Sequence, residues 1–278
     1  MTTLSRRSFV AMSAMLPWAF ARSASKSVPV GLELYSVREI LKTDLEGTVR
    51  AVAEMGYQCV EFYAPYTEWT ETQAKKMRKL MDELGIRCYS THNGEDAFAQ
   101  DKINRTRDLN KILGAKYVVL AHADPKPAPD GWKGVADELN AAADRLESSG
   151  LKVGYHNHQA EFTAKDGQRP MEVLAKNTKP SVALQLDVGT CLEAGSDPVE
   201  WIKANPGRIR SIHCKDWSPD NGYKVLFSEG VAPWEKIFAA AESVGGIEYY
   251  LVEQEGSRFS ELETAKKCLE NFRAKKPS

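Results

Sequence analysis

Leu151-Lys152-Val153-Gly154-Tyr155-His156-Asn157-His158-Gln159-Ala160-Glu161-Phe162 reads as a short apolar strand that stops abruptly in polar side chains. It follows a helical pattern over 132–148 that Gly150 closes, so the unit is helix, glycine, strand, then chemistry. Its end carries two of the five histidines of a 278-residue chain.

The same unit recurs on both sides of this stretch. Strands are expected over 28–34, 58–62, 86–90, 116–120, 151–155, 182–186, 209–212 and 247–252. Helices of period 3.6 are expected over 45–55, 71–84, 102–113, 132–148, 171–176, 198–204 and 234–243, with Ser260 capping the last. Asp44 can cap the first helix, and Gly56, Gly85 and Gly114 stop the first three. Eight strand–helix units at about 31 residues each predict an α/β fold, a (β/α)8 TIM barrel. An open doubly wound sheet would carry a glycine-rich loop after its first strand, and here that strand runs into Glu33-Leu34-Tyr35-Ser36.

The expected division is an export signal with a short linker over 1–27 and one barrel domain over 28–278. Arg6-Arg7 precedes the uncharged run Val10 to Ala21, and Ala19-Phe20-Ala21 offers a small-x-small cleavage pattern. The run is 12 residues, against the roughly 20 that span a bilayer. These features predict an exported, periplasmic or secreted protein, carried by the twin-arginine route without a stable membrane anchor. That route moves folded proteins, so a metal can be loaded beforehand. Five widely spaced cysteines with no CxxC pair read as small buried apolar residues. A net charge of -1 with 42% hydrophobic residues fits a soluble globular chain and gives no footprint for nucleic acid.

In such a barrel, active sites lie at the C-terminal strand ends. The residues there are Glu33, Glu61, His92 with Asn93, His122, His156 with Asn157 and His158, Asp187, His213 with Lys215 and Asp216, and Glu253 with Glu255. All five histidines fall at or just past a strand end. His156, Asp187, His213 and Glu253 close the fifth to eighth strands and converge from one side of the mouth. Two imidazoles and two carboxylates suit a divalent metal, whether manganese, zinc, cobalt or iron.

The segments "GLELYSVRE", "GYQCVEFY", "YHNHQAEF", "LQLDVGT", "IHCKD" and "VEQE" resemble the sugar phosphate isomerase/epimerase family of the xylose-isomerase-like TIM barrels. That group also contains ketose 3-epimerases, inosose dehydratase and endonuclease IV. The resemblance places metal ligands on Asp187, His213 and Glu253. The fourth family position, usually glutamate, falls on His156, which puts the two-glutamate proton exchange of the ketose epimerases in doubt. Thr190 stands where some members carry another histidine, which argues against a multinuclear phosphodiesterase site.

A carbonyl chelated to the metal would lose its α-proton to a base. Candidates for catalysis are Glu253, His158, Glu161 and Lys215. His158 lies two residues past His156, so an extended segment turns both to the same side; it can equally brace the loop. Tyr35, Glu61, His92, His122, Asn157 and Trp217, with Trp234, suit the reading of a sugar. Trp69, Trp132 and Trp201 suit packing. The expected function is a metal-dependent isomerase or epimerase of an unphosphorylated sugar or cyclitol. The alternatives are a keto-sugar lyase or hydrolase of the 3-keto-glycoside type, and a non-catalytic sugar-binding protein. Expected partners are a small-molecule sugar or cyclitol, no nucleic acid, and a second copy of the chain in a homo-oligomer.

Overall fold

Eight short strands close on themselves: β1 (Val30–Glu33), β2 (Cys59–Phe62), β3 (Arg87–Asn93), β4 (Tyr117–Leu120), β5 (Lys152–His156), β6 (Ala183–Asp187), β7 (Ser211–Cys214) and β8 (Tyr249–Val252). Each pairs in parallel with the next, and β8 pairs with β1. The structure, a computed structural model, describes residues 27–124, 131–164 and 167–276. The expected export signal falls outside the described residues, and among these no helix is long and apolar enough to cross a membrane.

Parallel strands covered on both faces need apolar side chains in both directions, and β4, Tyr-Val-Val-Leu, is buried throughout. Val118 and Leu120 join the large core between strands and helices. Tyr117 and Val119 point the other way and pack with Cys59, Ala183, Tyr249 and Leu251 inside the barrel. Gly31 in this lower interior has no space for a side chain, since a Cβ there would lie 2.4 Å from Cys59 Sγ and 2.6 Å from its carbonyl oxygen. Two residues further along the same strands, the inward positions become Glu33, Glu61, Gln185, His213 and Glu253, all buried.

Helices Leu45–Met55, Glu71–Leu84, Ile103–Leu113, Gly131–Glu147, Pro170–Asn177, Pro198–Ala204, Trp234–Ala240 and Glu261–Lys275 form the outer ring. Asp44 caps the first through the Gly47 N–H, and Thr70 with Gln73 makes a capping box for the second. Several element ends differ from expectation. A register shift between Val60 and Glu61 opposes an extra residue of β3, and that strand continues to Asn93. β7 starts at Ser211, so His213 lies within the sheet. The seventh helix gives way at Ala241 to a π-turn ended by Gly246. Three short helices in the βα loops, Arg38–Thr43, Gln159–Phe162 and Val188–Glu193, have too little periodicity to read. All five cysteines are buried free thiols.

Candidate active site

The upper interior is built around one amide. Gln185, in the middle of β6, donates from Nε2 to Glu61 Oε2 at 2.9 Å and to Ser211 Oγ at 3.0 Å. With its nitrogen so placed, its carbonyl oxygen must face His92 Nε2 at 2.6 Å and His156 Nδ1 at 3.0 Å. Both ring nitrogens therefore carry the hydrogen in this arrangement, which fixes the His156 tautomer and leaves its Nε2 lone pair free. That atom lies 4.0 Å from Asp187 Oδ2.

Asp187 ends β6 and caps the helix that follows. Its Oδ1 accepts the Thr190 N–H at 2.9 Å, whereas Oδ2 is buried with no hydrogen-bond partner. Burial raises the carboxyl above its ordinary pKa, partly countered by Lys215, whose Nζ stands 3.8 Å away. His213 lies between two glutamates, with Nδ1 at 2.5 Å from Glu253 Oε2 and Nε2 at 2.8 Å from Glu61 Oε1. Burial opposes its charge, but the two carboxylates outweigh that and raise it to about 10. Burial lowers His156 well below the usual imidazole value, and neighbouring His213, His92 and His158 add to the effect. The rings of His92, His156 and His213 lie within 4.5–5.0 Å of one another.

His156, Asp187, His213 and Glu253 each present a ligand atom within 4.8 Å of the others, and all four are buried. The unpartnered Asp187 oxygen, the free His156 nitrogen and the mixed donor set fit a divalent cation. Glu61 then serves as the outer partner that orients His213. Burial would raise Glu61, but His92 and His213 hold it down to about 2.

Beside this cluster opens a cavity of 580 Å³ over the β1 to β5 half of the barrel. Tyr35, His92, His122, His156, His158 and Glu253 line it, as expected from their strand ends, together with Glu33, Tyr63, Glu95, Asp124 and Glu255. Tyr35, 38% exposed, meets Tyr63 edge to face at 5.3 Å. His158 stands on the wall with its ring 5.1 Å from that of His156, as the extended spacing predicts.

Other expected site residues lie elsewhere. Glu61 is sealed beneath the cavity, with both oxygens bonded to Ser90, Gln185, His92 and His213. Asn157 turns away from the mouth, exchanging hydrogen bonds with the Asp187 backbone and donating to Thr190 Oγ1. Glu161 accepts from the Tyr155 hydroxyl at 2.6 Å and from the His158 N–H at 3.0 Å, so it pins the loop, and one of its oxygens lies within 4.8 Å of ring nitrogens of His122 and His158. Lys215 is buried under the Tyr223 ring, bonded to Glu255 and 3.5 Å from Glu253. Trp217 is half-buried outside the cavity wall. Trp234 is buried and donates its indole N–H to Asp216. Asp216 also accepts the N–H groups of Trp217, Ser228 and Ala232, and so ties down the whole 217–233 segment.

Sequence reasoning missed Gln185 and Tyr63, and gave Glu33 no role beyond its place at a strand end. The signal for Gln185 was its place two residues before Asp187, which turns an amide inward on a strand that is otherwise apolar.

Among curated proteins, the chain is similar to the rhizopine catabolism protein MocC of Rhizobium meliloti, at 23% identity over 63% of this chain and 58% of that protein. It is also similar to inosose dehydratase of Clostridium botulinum, at 28% identity over 45% of this chain and 48% of that protein. It thus spans about half the length of these curated relatives. A solved sugar phosphate isomerase/epimerase from Parabacteroides distasonis superposes with a TM-score of 0.77 and 25% identity, over 93% of this chain and 98% of that one. The profile of the xylose isomerase-like TIM barrel matches residues 49–275. With that match spanning most of a closed eight-stranded barrel, the chain belongs to the xylose isomerase-like TIM barrel family.

Proposed function

We propose that the protein is a divalent-metal enzyme that removes the proton next to the carbonyl of an unphosphorylated sugar or cyclitol. The observation that carries this reading is the buried quartet His156, Asp187, His213 and Glu253, with its unpartnered Asp187 oxygen, at the edge of a polar cavity. These four residues would hold the cation. When bound, it would supply Lewis-acid polarisation of the carbonyl and stabilise the charge that develops on its oxygen.

The chain's own residues account for the rest. His158 is the base: it lines the cavity, and Glu161 fixes its backbone. Glu253 is held by His213 and Lys215, which leaves it less free to move a proton. The cavity wall carries Glu33, Glu95, Asp124, Glu253 and Glu255 and, among the described residues, no lysine or arginine. Such a wall repels a phosphate and accepts hydroxyls, and Tyr35 with Tyr63 gives a flat surface for the apolar face of a ring. The family's isomerases, epimerases and dehydratases share this first step. Export by the twin-arginine route, expected from Arg6-Arg7, would agree with an unphosphorylated substrate, because sugar phosphates are cytoplasmic. Recovery from the periplasm of protein lacking the leader tests that part.

Elemental analysis of wild type and Asp187→Ala, with proton NMR of unphosphorylated ketoses, inososes and 3-keto-glucosides in D2O, tests the reading. About one cation per wild-type chain, lost in the variant, and deuterium at the α-carbon are expected. A cation retained in Asp187→Ala removes the proposed centre, and a metal-loaded wild type that exchanges nothing across the panel makes the protein a binder.

A further inference from the structure

His122 and His158 are the two histidines that the buried cluster leaves out, and they face each other. One follows β4 and the other β5; both line the cavity, and their rings stand edge to face at 5.5 Å. Glu161, on the short helix after His158, brings a carboxylate oxygen within 4.8 Å of a nitrogen of each ring, and those two nitrogens lie within the same distance of each other. The donor atoms of a tetrahedral zinc stand about 3.3 Å apart, so rotation of the two rings closes the set without a change of backbone.

Glu161 shows what such a set lacks. It is 1% exposed, and its oxygens accept from the Tyr155 hydroxyl and the His158 N–H. Both donors are neutral, and among the described residues no lysine or arginine pairs with it. A buried carboxylate is costly unless a positive charge answers it. Each oxygen keeps a further lone pair, so the two hydrogen bonds aim the carboxylate and leave it able to hold a cation. Asp124 Oδ1, 3.1 Å from His122 Nε2, gives that ring the outer carboxylate that ligating histidines commonly have. Two imidazoles and one carboxylate, with a fourth position open to the cavity, suit zinc, whereas magnesium and calcium select oxygen.

We propose that His122, His158 and Glu161 form a second cation site, selective for zinc over magnesium, and that an ion held there withdraws His158 from proton transfer. The second half rests on the function proposed above. The lone pair that takes the α-proton is the one that binds zinc, so filling this site leaves an enzyme with its buried centre loaded and its base blocked. The site is weaker than the buried quartet, because the His122 side chain is 59% exposed and both rings stand on an open wall. It therefore empties on gel filtration, which leaves about one ion per purified chain, and fills again with added zinc.

The test takes untagged, full-length protein with zinc in its buried centre and dialyses it against rising zinc, counting bound metal by elemental analysis and following α-deuteration in D2O. Wild type should pass from about one ion per chain to about two, and Asp187→Ala from none to about one. His122→Ala and Glu161→Gln should both stop at about one, and magnesium should add none. Filling the second site should slow wild-type exchange about 10²-fold relative to its own rate with one zinc, whereas His122→Ala, whatever its starting rate, should lose nothing. A wild type that never exceeds one ion, or a second ion retained by His122→Ala, overturns the site. Two ions with unslowed exchange overturn the control of His158. Exchange absent at every zinc level removes the function proposed above, and the ion count still decides the site. If Glu161→Gln does not fold, the exposed His122 carries the test.

Discussion

The lower and upper halves of the barrel interior are made by the same strands, yet they obey different rules. Below, Cys59, Tyr117, Val119, Ala183, Tyr249 and Leu251 fill the space with apolar atoms. Above, two residues later along the strands, Glu61, Gln185, His213 and Glu253 are equally buried but are tied by hydrogen bonds and charge. The first layer contributes stability through area removed from water. The second is costly to assemble, because buried charges recover their desolvation only through well-placed partners. A step of two residues along the same inward face therefore separates the residues that fill the barrel from those proposed to do the chemistry.

Substitutions can break that comparison. Asp187→Ala, in the upper layer, should abolish cation binding and reduce turnover to background, while the melting temperature in chelator changes little. Elemental analysis and calorimetry measure the two sides. Leu251→Ala, in the lower layer, should do the reverse, costing about 2–5 kcal/mol of stability through the cavity it leaves while the folded fraction keeps its metal. A denaturant titration reads the first, and a loss of metal stoichiometry in folded Leu251→Ala would show that the layers are coupled.

Finer effects sharpen it. Gln185→Leu removes the acceptor that fixes His156 and a donor to Glu61, and should weaken cation affinity about 10–100-fold without unfolding the barrel. Competition with a fluorescent chelator measures it. The smallest effect concerns protons. In metal-stripped protein, His213 holds its proton up to about pH 10, and a cation at Nδ1 must displace it. Affinity should therefore rise with pH below that value, by up to about tenfold per unit for each proton released, and calorimetry in buffers of different ionisation enthalpy should count about one proton per ion.

The eight-unit spacing made the barrel legible, since glycine stops and apolar runs are local signals. The quartet was legible for the same reason: His156, Asp187, His213 and Glu253 each close a strand. What escaped depends on contacts between strands. Glu61 and His213 look alike as strand ends, and only the closed sheet reveals that one lies beneath and orients the other. Asn157 and Trp217 are polar or aromatic at the right end of the barrel, yet Asn157 spends its amide on the Asp187 backbone. Gln185 sat unnoticed between two leucines, because its role is to join four side chains from four other strands.

The tethering of the 217–233 segment by Asp216 has a consequence for the shape of the cavity. Four donors, three backbone amides and the Trp234 indole, converge on that one carboxylate, so the wall beside β7 is a fixed one. No residue of that segment lines the cavity, which runs from His156 and Glu253 across to Tyr35, Glu95 and His122, so a ligand there is shaped by the walls of the other strands while the braced wall stands behind it.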